Sequence, residues 1–343
     1  MSTNTLTGSA LVKFAEGAGS LELRQVEVGP AQAGQALVAV AAAGICGTDL
    51  HIADGEWAVN PPVTVGHEFS GTVVSVGDGV DPDWVGSRVV SEVFFGSDET
   101  CDACQSGHRN LCPNRQSLGS HVDGAFAPAV LVPVRNLHRL PDSIGLTEAA
   151  LLEPLACVVG ALCDPSVISA GDRVLVTGPG AIGLFAAQVA RAHGGQVTML
   201  GREADRRRLA VAENLGLRVE VTESSADESR RERFDVVIEC AGAAPAVSSC
   251  LAAVRRRGRY VQLGLFGGPI SVDLSAICLK DLTLTSGFGA TPEGFRRAIR
   301  MVADGLVSLE PLITQIAPLH EWESVIAATR RGDGVKFLFA PQA

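Results

Sequence analysis

The sequence predicts an α/β protein in two parts: a β-rich amino-terminal domain, and a doubly wound parallel sheet covered by helices. Three observations lead there. At 343 residues the chain exceeds the size at which a single hydrophobic core keeps growing, so two domains are expected. Up to roughly residue 140, short Val-rich runs are separated by Gly, Pro and Asp, the texture of strands and tight turns in a small barrel or sandwich. From Gly171 onward, strand-like and helix-like segments alternate, as they do in a parallel sheet.

Taken in order, Ala36–Ala42, Gly71–Val76 and Arg88–Val93 read as strands, with a turn at Gly77-Asp78-Gly79. In the second part, Arg173–Thr177 reads as a strand and Leu184–Ala192 as a helix. Gln196–Leu200 is the next strand, followed by a helix running to Leu215. Further strands are expected at Phe234–Glu239 and Gly258–Gly264, a helix at Pro292–Ala303 and a closing strand at Val335–Phe339. Hydrophobic residues make up 46% of the chain and aromatics only 5%, so the core is expected to be aliphatic. A net charge of −10 argues against nucleic acid or an anionic membrane as partner. No run of eighteen apolar residues is present to span a bilayer, and Met1–Ala10 lacks the pattern of a secretory signal. Nine cysteines, several in metal-like spacings, suit a reducing cytoplasm better than a disulfide scaffold.

Two stretches carry chemistry. Gly178-Pro179-Gly180-Ala181-Ile182-Gly183 follows a strand and opens a helix, the context that makes a glycine-rich turn a dinucleotide fingerprint. Gly178 allows the tight turn, Gly180 lets backbone approach a pyrophosphate, and Gly183 lets helix and strand pack closely. The helix N-terminus then offers free N–H groups to phosphate, and Ala181 and Ile182 inside the turn join the expected cofactor-binding residues. The next strand ends at Gly201-Arg202, where an NAD-preferring protein would carry an Asp for the ribose 2′-hydroxyl. With Arg206, Arg207 and Arg208 nearby, this tilts the cofactor toward NADP over NAD. The same arginines also read as the solvated face of a helix, and Glu203 could hold a ribose.

The other stretch is Gly44-Ile45-Cys46-Gly47-Thr48-Asp49-Leu50-His51, answered by Gly66-His67-Glu68. A thiolate, an imidazole and a carboxylate can hold three corners of a tetrahedral zinc and leave the fourth open. Thr48 and His51 add a hydroxyl and a second imidazole that could carry a proton. Each residue taken singly is more often a packed or surface side chain; their grouping is what points to metal.

These blocks, GICGTDLH and GHEFSG, resemble those of the zinc-containing medium-chain alcohol and polyol dehydrogenases, and the likeness runs over almost the whole chain. The resemblance implies a GroES-like barrel at 1–147 and 288–343, discontinuous in sequence, and a Rossmann domain at 148–287. It makes Cys46 and His67 ligands of a catalytic zinc, with Glu68 a ligand or a carboxylate close behind one. Thr48 and His51 become a proton relay. Glu153, in Leu152-Glu153-Pro154-Leu155, would join the metal's surroundings; the alternative is a helix-start carboxylate stabilised by the helix dipole. Asp98, Cys101, Cys104 and Cys112 stand where the family often carries four cysteines around a structural zinc. An Asp-Cys₃ site is one reading there, and an empty lobe with a solvated Asp98 the other. Gly264 would line the nicotinamide, and Trp57, Phe94 and Phe95 either wall the substrate pocket or fill core. The activity implied is hydride transfer between a secondary alcohol of polyol type and NAD(P), with a small alcohol or ketone as the partner molecule. A homodimer or homotetramer is implied too. The competing expectations are a zinc-free enone or quinone reductase on the same fold and a non-catalytic cofactor-binding protein.

Overall fold

The computed structural model describes residues 4–223 and 228–342. Two compact units are present: Met1–Glu153 with Gly289–Ile299 and Ile313–Ala343, and Pro154–Phe288 with Arg300–Leu312. The inclusion of Arg300–Leu312 in the second unit has a local cause. The buried amide of Gln188 donates to the Ser308 carbonyl at 3.1 Å and accepts from the Ser308 N–H at 2.8 Å. These bonds satisfy both ends of a side chain that would be costly to bury unpaired.

The first unit is built on a seven-stranded sheet. Its strands run in the order Leu137–Arg139, Arg88–Ser91, Glu68–Val76, Gln35–Gly44, Lys336–Ala340 and Ile313–Pro318, and Ala129–Pro133 also pairs with Gln35–Gly44. A second sheet orders Leu21–Val28, Leu6–Lys13 and Val63–Thr64. The central strand Gln35–Gly44 is nearly all Val, Leu and Ala; its even-numbered residues are all buried, while on the other face Ala39 is half-buried and Ala41 exposed. Leu11, Val38, Phe69, Phe126, Val130 and Phe339 share the core. The Phe126 and Phe339 rings meet edge to face at 5.0 Å, which adds to the gain from burying them. Phe95 belongs to this core, with Phe94 and Trp57 packed against it.

Register matters more than composition here. Gln35–Gly44 runs antiparallel to Glu68–Val76 with Gly44 opposite Glu68, and antiparallel to Lys336–Ala340 with Gly44 opposite Leu338. Segments from both ends of the chain therefore converge at Gly44. A Cβ on Gly44 would lie 2.4 Å from Glu68 Oε2 and 3.0 Å from Lys336 Cε, so only glycine fits between them.

The second unit holds a six-stranded, wholly parallel sheet in the order Arg218–Val221, Gln196–Gly201, Arg173–Thr177, Phe234–Glu239, Val254–Gln262, Thr283–Ser286. Counted along this unit the order is 3-2-1-4-5-6, that of a Rossmann sheet, with its switch point between Arg173–Thr177 and Phe234–Glu239. Both of these strands are buried Val, Leu and Ile runs, as a sheet covered on two faces demands. Among the described residues no helix is long and apolar enough to cross a membrane.

Candidate metal and cofactor sites

The first unit brings Cys46, His67 and Glu68 together, with one ligand atom from each lying within 4.8 Å of the others. Strand pairing sets up this meeting. Gly44 opposite Glu68 places Cys46, two residues past one strand position, near His67, one residue before the other. Cys46 then caps the helix Gly47–Asp54, and the Asp49 carboxylate closes the cap by accepting the Cys46 N–H at 2.8 Å. The second Asp49 oxygen has no hydrogen-bond partner and faces His67 Nδ1 at 3.7 Å.

Glu68 is almost wholly buried, and its Oε1 has no hydrogen-bond partner among the described residues. Its counter-charge is Lys336, also buried, whose ammonium forms an ion pair with Glu68 and donates to the Ile45 carbonyl at 2.7 Å. Burial works against the Lys336 charge, but Glu68, Cys46 and Asp49 around it outweigh that and hold its pKa above the ordinary value. Burial likewise disfavours the His67 imidazolium. Asp49, Cys46 and Glu153 prevail over it and raise His67 well above its usual pKa. Asp49 itself is raised, chiefly by burial. Acidic groups thus outnumber basic ones around the buried His67, Glu68 and Lys336, an environment that favours a cation. Thiolate, imidazole and carboxylate together form a donor set that fits zinc. Glu153 is buried and acts on His67 by its charge, while the ligand cluster itself is Cys46, His67 and Glu68.

Thr48 lies beside the cluster, its hydroxyl accepting from the Cys46 thiol at 3.7 Å. His51 is partly exposed, with Nδ1 2.7 Å from Glu56 Oε2. Asp49, Lys336 and Glu56 were not singled out from sequence. Asp49 lies inside the quoted motif and was legible as a helix-capping residue. Lys336 was not, because only strand register brings it near.

The lobe beyond the short ribbon Phe94–Phe95 and Gln116–Ser117 gathers Asp98, Cys101, Cys104 and Cys112 within the same 4.8 Å. Asp98 accepts the N–H groups of Cys101 and Thr100, each at 2.9 Å, and the Asn114 amide at 2.8 Å, and these bonds hold its carboxyl well below the usual range. Burial, with the neighbouring Cys101 and Cys112, pushes the Cys104 thiol up to about 12. Burial also acts on Cys112, but N–H donors from Asp98 and Asn114 lower its pKa overall. Three soft donors and an ionised carboxylate fit a closed, four-ligand zinc shell.

In the second unit, Gly178 has a positive φ of 85°, Gly180 caps the helix Ala181–Ala192, and a Cβ on Gly183 would lie 1.9 Å from the Gly178 carbonyl oxygen. The turn therefore has the shape that leaves backbone N–H groups at a helix start free for phosphate. Gly201 ends its strand, and Arg202 beyond it keeps 75% of its side chain exposed, 3.6 Å from Asp205. Glu203 is engaged by Arg206 at 3.0 Å. Gly264 follows the strand Val254–Gln262 and donates its N–H to the Glu239 carbonyl.

Comparison with known proteins bears on both units. Residues 32–142 match the alcohol dehydrogenase GroES-like domain and residues 181–304 the zinc-binding dehydrogenase domain. A sorbitol dehydrogenase of Halalkalibacterium halodurans is 36% identical over 97% of this chain and 99% of its own. A D-arabitol-phosphate dehydrogenase of Enterococcus avium is 34% identical, over 97% of each chain. The NADP-bound structure of a Sinorhizobium meliloti 1021 protein, assigned as a zinc-binding dehydrogenase, superposes with a TM-score of 0.89 at 34% identity, covering 98% of this chain and 100% of that one. With near-complete coverage at this identity, and both halves matched in order, the chain belongs to the zinc-dependent medium-chain dehydrogenase family.

Proposed function

We propose that this protein is a zinc-dependent dehydrogenase that moves hydride between a secondary alcohol of the polyol or sugar-alcohol type and NAD(P). The observation that carries this reading is the Cys46–His67–Glu68 cluster, with His67 and Glu68 buried and Cys46 half-buried, a zinc donor set on a chain whose second unit presents a dinucleotide turn. Sorbitol and arabitol phosphate, the substrates named for two relatives, support the polyol class.

Cys46 and His67 are assigned as ligands of the catalytic zinc, with Glu68 as a ligand or the carboxylate beside it and Glu153 tuning the same pocket. His67 turns Nδ1 toward Asp49, which leaves Nε2 for the metal. When bound, zinc lowers the pKa of an alcohol oxygen and polarises a carbonyl. Thr48 is assigned to receive the alcohol proton and His51, whose Nδ1 lies 2.7 Å from Glu56 Oε2, to pass it on to solvent. The protein's part is to bind and orient, and a bound nicotinamide would supply the hydride chemistry. Asp98, Cys101, Cys104 and Cys112 are assigned to a second, structural zinc.

Gly178, Gly180, Ala181, Ile182 and Gly183 are assigned to the pyrophosphate, Gly201 and Arg202 to the adenosine ribose, and Gly264 to the nicotinamide side. The exposed Arg202 guanidinium, with no acid at the strand end, favours a 2′-phosphate and hence NADP. The NADP-bound relative points the same way.

The test is a panel of polyols, sugars and amino alcohols run with NAD and NADP side by side, on protein of measured zinc content. Turnover of polyols with a higher kcat/KM for NADP is expected. Activity in a zinc-free preparation would point instead to an enone or quinone reductase. Zinc-replete protein that binds cofactor and turns over nothing would leave a binding protein.

The edge strand Thr283–Ser286 pairs on one side only, and Leu265, Leu274, Leu279 and Leu284 near it in sequence are exposed, which supports a homo-oligomer built on that edge. Nine unbridged cysteines support a cytoplasmic location. Light scattering that gave a monomer, or fractionation that placed the protein outside the cytoplasm, would remove these assignments.

A further inference from the structure

The carboxyl ends of three neighbouring parallel strands carry one polar row: Thr177, Glu239 and Gln262 are paired directly across the ladder. This row lies at the point where strand order reverses, outside which ligands of such sheets bind. Its centre is Glu239, wholly buried, whose carboxylate accepts from four neighbouring groups. Oε1 accepts the N–H of Ala241 at 2.8 Å and of Gly242 at 3.1 Å, with the Thr177 hydroxyl at 3.5 Å. Oε2 accepts the Gln262 amide at 2.6 Å and again Gly242 at 3.2 Å.

The row is locked from its far side. Gln262 also donates to the Gly264 carbonyl at 2.7 Å, while its own oxygen accepts the Tyr260 hydroxyl at 2.5 Å, so its amide cannot turn over without breaking both bonds. The rims close on this carboxylate with no room to spare. A Cβ on Gly264 would come within 2.3 Å of the Gly242 nitrogen and 2.5 Å of Glu239 Oε2, and one on Gly178 within 2.7 Å of the Ala241 nitrogen. Burial, with the Glu239 carboxylate adding to it, pushes the Cys250 thiol up to about 12 and raises the Tyr260 hydroxyl.

We infer that Glu239 is a positioning residue for the cofactor: its carboxylate clamps the Ala241–Gly242 and Gly264 rims against the Gly178 turn and so sets the shape on which the dinucleotide rests. The inference rests on the dehydrogenase reading above. It goes beyond it by assigning a role to a wholly buried acid that the reading leaves without one.

In Glu239→Gln, one oxygen becomes an NH₂ that must face either the Ala241 and Gly242 N–H groups or the Gln262 amide, donor against donor. The rims must then shift. NADPH and NADH fluorescence titrations of the full zinc-loaded protein should give a Kd raised roughly tenfold to a hundredfold, the scale of losing charged hydrogen bonds. KM for cofactor should rise in step, while KM for alcohol and zinc content stay at wild-type values. Gln262→Met, which removes the clamp's other half and keeps the carboxylate, should act in the same direction; it carries the test if Glu239→Gln does not fold. Cofactor affinity unchanged in a folded variant, even one with a lower melting temperature, overturns the inference. Wild-type protein that binds neither dinucleotide would instead overturn the dehydrogenase reading.

Discussion

Cys46→Ser should cut alcohol oxidation by about a thousandfold or more, roughly 4 kcal/mol in the barrier, with NADPH affinity left at the wild-type level. Serine keeps the size of the side chain and its place at the start of the helix Gly47–Asp54, so the fold should survive. What it removes is the soft anionic donor. A hydroxyl at neutral pH is a poor replacement for a thiolate beside His67 and Glu68. Metal analysis should find one zinc fewer per chain, and the Asp98 lobe, built from other residues, should keep its own. Full turnover by a variant retaining the wild-type metal count would remove Cys46 from the chemistry.

Lys336→Met should have the largest effect on stability, about 3–5 kcal/mol, because it leaves Glu68 as a buried charge without its counter-ion. The loss should be greater in chelator-treated protein than in zinc-loaded protein, since a divalent cation can compensate the same carboxylate. Urea unfolding with and without zinc reads the difference. Glu68→Gln combined with Lys336→Met should recover part of the stability, because the second change removes the orphaned charge. A single-variant loss below about 1 kcal/mol, the level of an exposed ion pair, would show that the buried pair contributes little.

Much of the fold could be read without coordinates where the signal was local. Arg173–Thr177, Phe234–Glu239 and the helix Pro292–Ala303 fall where apolar runs and turn residues put them. Ends fared less well. The helix expected from Leu184 starts at Ala181, because the fingerprint turn passes directly into helix once Gly180 caps it. The strand expected at Gly258–Gly264 spans Val254–Gln262, since parallel pairing with Phe234–Glu239 reaches past the Arg-rich stretch that obscured its start. At the metal pocket, Cys46, His67 and Glu68 could be grouped because two short motifs carry them. The residues that support them could not all be. Lys336 reaches Glu68 only through the Leu338–Gly44 pairing, and Glu239 looks like any strand-end acid until its donors are seen. Periodicity and spacing describe one element at a time. Register between distant elements leaves no local trace.

The origin of Lys336 has a consequence for biosynthesis. During translation Glu68, Asp49 and Cys46 leave the ribosome long before the strand Lys336–Ala340 exists, by an interval on the order of tens of seconds at ~5–20 residues per second. Over that time the acidic pocket has no ammonium of its own. A nascent chain stopped short of the final strand would therefore carry each residue assigned to the metal and still lack the cation that makes burying Glu68 tolerable.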